Sequence, residues 1–493
     1  SDMGPDGDTS YAAQNPAVAY NPNLNQYLVV WSGDDNSGGL TDNDFQIFGQ
    51  FVLPRGGQIG TNDFRISNMD TGSIVFGANF PAVTYNSRDG KYLVVWSGDD
   101  NAAGGAGHET EIFGQQLQEN GDFLRFNFAV SDMGAGGINY RAFNPAVTYN
   151  SQDNEYLVVW WGTDNANGVV KGEFEIFGQR LMGVDAFFAI GDNDFRISNM
   201  GPNGDLNYAA FDPSVVYNQA TNQYLVVWEG TISIADDDSE SEIFGQLLDA
   251  FGVETGENDF RISRMGADND PNFDAFEPQV AYDSEDGRFL VVWQGDNNNV
   301  NGLVDSENEI FGQLLNSDGS ETGADDFRLS DMGPDGNPGH GAFRPGVACQ
   351  TGTAQCLIVW DGDDDIPPLT GDEFEIFGQL IGSNNPPLAS PDSYTTPTDT
   401  TLSIAVPGVL ANDSDADGDP LHAVLVSGVA NGSLNLSEDG AFTYTPDTGF
   451  IGTNSFTYLI NDGLNNSDPA TVTIVVAEPG TLTNQIFLPL VVR

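Results

Sequence analysis

The stretch Tyr27-Leu28-Val29-Val30-Trp31 decides the fold of this chain, together with the acidic loop that follows it and the run Gln46-Ile47-Phe48-Gly49-Gln50. This unit occurs six times, and a repeat with a fixed period of roughly 65 residues indicates a repeat architecture. The tryptophans are Trp31, Trp96, Trp160, Trp228, Trp293 and Trp360. The Ile-Phe-Gly-Gln runs begin at Ile47, Ile112, Ile176, Ile243, Ile310 and Ile376.

Each unit contains four short strands, which lie at 15–20, 27–31, 46–52 and 63–67 in the first unit. The second strand is almost entirely apolar, which is typical of a strand buried on both faces. Four-stranded units that need neighbours to bury their faces are typical of the blades of a β-propeller. The sequence predicts an all-β chain whose residues 1–382 form a six-bladed β-propeller. A β-solenoid or a string of small domains is the alternative.

A methionine follows the fourth strand of the first five units, at Met69, Met133, Met200, Met265 and Met332. The sixth unit stops after its third strand, and Ser1-Asp2-Met3 matches the end of a fourth strand. The ring is therefore expected to close with one outer strand absent. An uncovered sheet edge is a site at which another strand can dock.

Two cysteines occupy the positions at which the other units carry an aromatic pair, such as Tyr20 with Tyr27. The spacing within the pair is constant, so the two positions are expected to face each other across a hairpin. Cys349 and Cys356 are therefore predicted to form a disulfide, which places the protein outside the cytosol. Two buried free thiols are the alternative.

The formal net charge is −58, from 15 basic and 73 acidic residues. Such a surface repels nucleic acid and anionic membranes, which excludes both as partners. No apolar run approaches the ~18 residues of a membrane span, so no membrane insertion is expected. Either bound cations offset this charge, or the acidic surface is simply solvated, as in salt-adapted proteins.

The composition changes after Gly382, where 383–387 form a linker, 388–478 a second domain and 479–493 a tail. About seven short strands in ~90 residues predict a β-sandwich. The motifs Gly408-Val409-Leu410-Ala411-Asn412-Asp413 and Gly440-Ala441-Phe442-Thr443-Tyr444 resemble the bacterial cadherin-like, immunoglobulin-type module of secreted adhesins. The resemblance implies an extracellular connector. The first 382 residues resemble extracellular bacterial repeat propellers only in a general way.

The second domain carries a candidate calcium loop, because Asp413, Asp415, Asp417 and Asp419 alternate around a glycine. Carboxylate oxygens in this pattern suit a hard cation such as Ca²⁺. The resemblance to the cadherin-like module adds three candidate ligands: Asp392, Asn412 and Asp462.

The acidic loops of the propeller are further candidates for Ca²⁺, since acids recur at both ends of the loop. Carboxylates two apart on a strand point to one face, and Ca²⁺ takes about six to eight oxygens. The alternative is that these acids are only good turn formers. The candidates at the start of the loops are Asp34, Asp99, Asp164, Asp296 and Asp363. Those at the end are Asp44, Glu109, Glu173, Glu307 and Glu373.

The tail 485–493 is apolar and extended in character, and Pro489 restricts it to a sheet edge. It is predicted to be a donor strand that completes the sixth blade, in the same molecule or in the next, which would give a polymer. The last strand of the sandwich or a surface-sorting tail is the alternative. The residues of this assembly strand are Ile486, Phe487, Leu488, Leu490, Val491 and Val492.

Catalysis has little support in the sequence. The three histidines lie at unrelated repeat positions, no zinc-ligand spacing occurs, and acid pairs are too frequent for one to stand out. The expectation is an extracellular, calcium-stabilised and non-enzymatic cell-surface protein for adhesion or fibre assembly, with itself or a surface glycan as partner. The alternative is a secreted lectin or glycan-active enzyme that uses the central face of the propeller. An enzyme would show one blade with unique polar residues, whereas the blades here are near-copies, which favours a scaffold.

Overall fold

The computed structural model describes residues 12–34, 45–69, 77–99, 110–133, 141–163, 172–186, 188–233, 239–266, 272–297, 303, 306–333, 339–351, 354–363, 374–382, 386–415, 421–461 and 466–479. The chain divides into two compact units, Ser1–Gly382 and Ser383–Arg493. In the described part, no helix is long and apolar enough to span a membrane.

The described residues of the first unit form six antiparallel sheets, each built from strands that are consecutive in sequence. The first two sheets contain β1 (Ala12–Asn21), β2 (Gln26–Asp34), β3 (Gln46–Val52), β4 (Gln58–Arg65), β5 (Ala78–Asn86), β6 (Lys91–Gly98), β7 (Glu111–Gln118) and β8 (Phe128–Ala129). The next two contain β9 (Arg141–Asn150), β10 (Glu155–Thr163), β11 (Glu175–Met182), β12 (Ala189–Arg196), β13 (Ala209–Asn218), β14 (Gln223–Ser233), β15 (Ser239–Asp249) and β16 (Glu254–Arg261). The last two contain β17 (Ala275–Asp283), β18 (Arg288–Gly295), β19 (Glu309–Asn316), β20 (Glu321–Arg328), β21 (Gly341–Gln350), β22 (Gln355–Asp363) and β23 (Glu375–Gly382). Each sheet is one blade of the predicted propeller.

The predicted hairpin register is confirmed. Tyr20 lies opposite Tyr27, and their ring centroids are 5.0 Å apart. In the sixth blade Cys349 lies opposite Cys356, and the two form a disulfide across a Cα–Cα distance of 3.9 Å. The disulfide therefore replaces an aromatic cross-strand pair.

Each blade packs one apolar face against the next blade. In the first interface, Leu28 and Val30 pack against Tyr92 and Trp96, and all four are fully buried. Burial of one such side chain contributes about 2 kcal/mol. Equivalent buried clusters join the second blade to the third and so on to the sixth.

The interface between the sixth and the first blade differs from the other five. Among the described residues, no buried apolar cluster joins these two blades. Ile376 on the sixth blade is 74% exposed and Val18 on the first is 60% exposed. The ring closure that the sequence predicts is therefore not sealed by apolar packing in the described part of the chain.

The fourth strand is fixed to its blade by a buried glutamate at the start of the third strand. In the third blade, Glu175 accepts hydrogen bonds from Arg196, from the hydroxyl group of Ser198 and from the Met200 N–H (3.2 Å). The fourth and fifth blades repeat this arrangement. Structural ion pairs thus explain this acid in the third, fourth and fifth blades.

The second unit is the predicted β-sandwich. One sheet has the order β24-β30-β29-β26 and the other β25-β28-β27. Tyr444, Phe456 and Tyr458 lie in the buried core between them. The strands are β24 (Asp392–Pro397), β25 (Leu402–Ile404), β26 (His422–Ser427), β27 (Ser433–Leu436), β28 (Phe442–Thr445), β29 (Gly452–Asn461) and β30 (Ala470–Ala477), with a 3₁₀ turn at Gly408–Asn412.

Candidate functional site

The inner strand of every blade contains a β-bulge just before a proline. The residue that precedes the proline has a positive φ in all six blades, a conformation that costs a non-glycine residue about 1 kcal/mol. These residues are Asn15 (φ 52°), Phe80 (54°), Asn144 (45°), Asp212 (48°), Glu277 (51°) and Arg344 (51°). We call them the bulge ring.

All six residues of the bulge ring line one cavity of about 380 Å³. Because one matched position from each of six consecutive blades meets there, the cavity lies at the axis around which the blades are arranged. Its size falls within the ~300–1,000 Å³ that is usual for small-molecule sites.

The bulge ring is the place where the repeats differ most in charge. Its first three members are neutral, whereas the last three are Asp212, Glu277 and Arg344. The position directly after each repeat tryptophan differs in the same way, with Ser32, Ser97, Trp161, Glu229, Gln294 and Asp361. The interpretation of the blades as near-copies is therefore wrong at the axis. Alignment of the six repeats on the proline and the tryptophan would have revealed this difference.

Neighbouring blades are joined at the bulge. The Asn144 N–H donates to the hydroxyl oxygen of Ser97 (3.0 Å), and the Arg344 N–H donates to the side-chain oxygen of Gln294 (2.7 Å). In these two blade pairs, the residue after the tryptophan thus supports the bulge of the next blade. This contact holds the strained backbone at the cavity wall.

Glu229 is intermediate in exposure, yet protein atoms surround most of its carboxyl group. Burial, followed by the negative charges of Asp212 and Glu277 among its causes, raises the pKa of Glu229 to about 8. The hydroxyl group of Ser241 lies 3.4 Å from its Oε1. Glu229 therefore keeps its proton at pH 7 and can donate it.

The two acids of the bulge ring are close enough to Glu229 and to each other to interact electrostatically. Burial raises the pKa of Asp212, but the Asn144 Nδ2 donates to its Oδ1 (2.6 Å) and favours the ionised form. Burial and the charge of Asp212 raise the pKa of Glu277, which the Arg344 charge opposes. Glu229 thus lies beside two acids of the cavity wall, Asp212 and Glu277, whose pKa values burial also raises but for which the Asn144 amide group and the Arg344 charge, respectively, favour the ionised form.

Arg344 is the one basic member of the bulge ring. Its Nε and Nη2 donate to the two carboxylate oxygens of Asp361 at 2.8 and 2.5 Å. The arginine side chain remains 71% exposed, and Arg344 lines the cavity. Asp361 holds the guanidinium group in place, so that its other N–H groups can donate to hydroxyl groups of a ligand.

Aromatic rings form a wall beside these carboxyl groups. Trp161 stacks on Phe143 with ring centroids 4.6 Å apart and an interplanar angle of 30°. Phe174 and Phe211 meet the same indole edge-on, each at 5.2 Å. Phe211 lies opposite Glu229 in the sheet register. Aromatic surface with a few fixed polar groups is the usual composition of a ligand site.

The candidate calcium ligands of the propeller are buried where the structure describes them. These are Asp34, Asp99, Glu173, Asp296, Glu307 and Asp363, each at most 8% exposed. Asp44, Glu109, Asp164 and Glu373 lie outside the described residues.

Protein donors already contact two of these buried acids. Glu173 accepts a hydrogen bond from the Gly204 N–H (2.9 Å) and lies 3.9 Å from Arg196. Asp296 accepts from the Asp274 and Ser306 N–H groups. Within the described ranges, no group of three or more His, Cys, Asp or Glu residues could hold a metal ion. Calcium in these loops stays a prediction.

In the second unit the structure brings Asp392 and Asp413 together. Both lie within reach of the Tyr458 hydroxyl group, at 3.3 Å and 2.9 Å, and Asn412 donates to the Pro391 carbonyl group (3.2 Å). Burial raises the pKa of Asp392 to about 6 and also raises that of Asp413. Asp415 also lies among the described residues, where it makes an interaction of its own.

The other predicted ligands of this loop, Asp417, Asp419 and Asp462, lie outside the described residues, as does the whole assembly strand 486–492. Self-association through that strand is therefore untested.

Residues 384–475 match the family model of the bacterial Ig domain. The Ig-like character of the second unit is thus confirmed, whereas the narrower cadherin-like assignment stays a prediction. No curated protein matches the chain.

Three solved structures illustrate what the chain resembles. An α-L-arabinanase of Penicillium chrysogenum in complex with arabinobiose is 12% identical, with a TM-score of 0.45, 75% of this chain and 93% of that chain covered. A family GH93 α-L-arabinofuranosidase of Fusarium graminearum is 13% identical, with a TM-score of 0.44 and coverages of 76% and 96%. An exo-β-1,3-galactanase of Phanerochaete chrysosporium with galactose is 10% identical, with a TM-score of 0.35 and coverages of 94% and 90%.

The expectation of a non-enzymatic adhesion or fibre protein is contradicted by these comparisons, in which the three solved structures named above are glycoside hydrolases. The polar axial cavity also contradicts the argument behind that expectation, which assumed uniform blades. At 10–13% identity the activities of these proteins are not carried over to this chain.

Proposed function

We propose that the axial cavity is the active site of a secreted enzyme that hydrolyses glycosidic bonds. The observation that supports this most is that Glu229, whose pKa is raised to about 8, lies beside two acids of the cavity wall, Asp212 and Glu277, where the six repeats diverge. Most glycoside hydrolases use two carboxyl groups, one that keeps its proton and one that is ionised.

Glu229 is the proton donor of this proposal. In the first step its carboxyl proton passes to the glycosidic oxygen while the bond from that oxygen to the anomeric carbon breaks. A raised pKa is needed for this role, because an ionised glutamate has no proton to give. Burial and the negative charge of Asp212 supply that rise.

Asp212 is the second carboxyl group of the proposal. The Asn144 amide group favours its ionised form, so that it can take a proton from the attacking water or attack the anomeric carbon itself. The first route inverts the anomeric configuration and the second retains it. The configuration of the first product, read by NMR, distinguishes them.

The surroundings of the cavity favour a neutral glycan. The Trp161 wall offers aromatic faces to the apolar face of a sugar ring, and the Arg344 guanidinium group offers donors to hydroxyl groups. A polyanionic polysaccharide is disfavoured by the net charge of −58.

The second unit fits a secreted role. A bacterial Ig domain and a disulfide are both typical of proteins outside the cytosol. We include in the proposal that this unit is a connector and that it binds Ca²⁺ near Asp392 and Asp413, whose paired oxygens suit a hard cation.

The test is hydrolysis of a panel of neutral aryl glycosides and oligosaccharides by the full chain. Glu229→Gln is expected to lower kcat about 10²–10⁴-fold, the usual contribution of a general acid. Asp318→Asn is the matched control, because Asp318 is a carboxyl group on an exposed turn of the fifth blade. Failure to cleave any member of the panel, or glycan binding without cleavage, would contradict the enzymatic proposal.

A further inference from the structure

The described residues leave the outer edge of the sixth blade uncovered. Among the described residues this sheet has three strands, whereas each of the other five has four. The isoleucine of the Ile-Phe-Gly-Gln run is fully buried in the first five blades, but Ile376 is 74% exposed. Leu380, on the same strand, is 58% exposed.

The other blades show what the fourth strand contacts. In the third blade, a Cβ placed on Gly178 would meet Ile197 Cδ1 at 2.9 Å and Phe195 Cζ at 3.0 Å, so only glycine leaves room for that strand. Gln179 accepts from the Asp194 N–H (3.2 Å) and donates to the Ile190 carbonyl group (3.2 Å).

The glutamate at the start of the third strand adds an ionic contact to the binding of the fourth strand. Glu175 binds the guanidinium group of Arg196 and the hydroxyl group of Ser198, and the fourth and fifth blades repeat both contacts. The fourth strand is thus selected by its Phe, Arg and Ser side chains as well as by its backbone.

The sixth blade keeps the residues that receive such a strand, namely Glu375, Gly378 and Gln379. At Gly378, the nearest atoms to a built Cβ come from the neighbouring strand of its own sheet, Ile358 O at 3.2 Å and Val359 Cγ1 at 3.4 Å. The described residues therefore form the receiving surface without the strand that covers it elsewhere.

We propose that this edge binds an extended peptide of the sequence Asp-Phe-Arg-(Ile or Leu)-Ser, which adds as a fourth antiparallel strand. The phenylalanine lies over Gly378, the arginine pairs with Glu375, and the Ile or Leu covers Ile376. Main-chain hydrogen bonds along a sheet edge supply affinity, and the side-chain contacts supply specificity.

The aspartate of the peptide would also make a defined contact. In the fifth blade, the Asp326 carboxylate accepts from the Arg264 N–H of the fourth blade (2.9 Å), and Asp194 and Asp259 make the matching contact. By analogy with these blades, the aspartate of the peptide is expected to accept a hydrogen bond from the Asp331 N–H of the fifth blade. The peptide would therefore bridge the fifth and the sixth blade.

The test is binding of a fluorescent peptide with the sequence of residues 321–332 to the full chain, measured by anisotropy. Saturable binding is expected. Glu375→Lys is expected to weaken it about 30-fold, since it removes one partner of a charged hydrogen-bonded pair. A peptide with its arginine changed to glutamate is expected to prefer the Glu375→Lys variant. Such a reversal of preference would show that the Glu375→Lys variant is folded. Glu375 is an exposed residue, so its substitution is not expected to disturb the fold.

Phe126→Ser is the control variant, because it removes a 93% exposed apolar side chain from the second blade and should leave binding unchanged. A peptide of residues 485–493 is the competing occupant, and it lacks the Asp-Phe-Arg sequence. The proposal is overturned if the 321–332 peptide does not bind, if Glu375→Lys binds it equally well, or if the 485–493 peptide binds more tightly.

Discussion

In three blades, the glutamate at the start of the third strand pairs with an arginine of the fourth strand. Glu111 is the equivalent glutamate of the second blade, but the arginine is missing there. Ala129 holds the sheet position that Arg196 holds in the third blade, since it lies opposite Phe113 as Arg196 lies opposite Phe177. Glu111 keeps the Ser131 hydroxyl group and the Met133 N–H (3.0 Å) as donors but has no arginine there. Burial raises the pKa of Glu111 from 4.5 to about 8.

The sign of the resulting pH dependence follows from linkage. The folded state binds the Glu111 proton more tightly than the unfolded state, so its contribution to stability is fully present below pH 4.5 and is lost as pH rises to about 8. The loss is on the order of 5 kcal/mol at most. Ala129→Arg should restore about 1–3 kcal/mol above pH 8, since hydrogen bonds to charged groups contribute that much.

The assay is urea unfolding of the wild type and of Ala129→Arg at pH 5 and pH 8.5. The variant should be more stable at pH 8.5 and nearly unchanged at pH 5, where Glu111 is largely protonated in the folded state. Phe126→Arg adds the same charge at a 93% exposed site of the same blade and controls for the net charge. Equal effects of the two substitutions at pH 8.5 would refute the reasoning.

The hydrolysis proposed for the axial cavity should fall above about pH 8, because the pKa of Glu229 is about 8 and the reaction needs its proton. The Asp212 charge helps to raise the pKa of Glu229, so Asp212→Asn should shift the loss of activity at alkaline pH to lower pH. If the residual activity of this variant keeps the wild-type pH profile, Glu229 is not the proton donor. Cys349→Ser should destabilise the sixth blade by about 2–3 kcal/mol in thermal unfolding. The double change of Cys349 and Cys356 to Tyr restores the aromatic pair and should therefore lower the stability by less. Removal of Ca²⁺ by a chelator should lower the melting temperature of the second unit, with Asp413→Asn insensitive to the chelator; an unchanged melting temperature in the wild type would speak against calcium there.

The sheets and their register could be predicted because they depend on local pattern. A fixed spacing between Tyr20 and Tyr27 is enough to place the two residues across a hairpin, and the same spacing places Cys349 opposite Cys356. The sandwich of the second unit follows in the same way from alternating apolar residues such as Phe442 and Tyr444.

The candidate site was missed because its residues lie far apart in the sequence and meet only once the blades surround an axis. The sequence signal for Asp212, Glu229 and Glu277 appears only when the six repeats are aligned on the proline and on the tryptophan. The acid that recurs directly before the Ile-Phe-Gly-Gln run also depends on contacts between distant segments. Glu175 recurs from blade to blade because Arg196 and Ser198 bind it, and those partners lie about twenty residues further along the chain.

The bulge ring explains how near-identical repeats can carry a site at all. Asn15, Phe80, Asp212, Glu277 and Arg344 differ in size and charge, yet all adopt φ between 48° and 54°. Because five different side chains share this backbone, the bulge does not depend on the identity of the side chain, and at Arg344 the side-chain oxygen of Gln294 in the neighbouring blade supports it. A substitution there changes the chemistry of the cavity without changing the blade, so the repeats can diverge at the axis while their apolar interfaces stay the same.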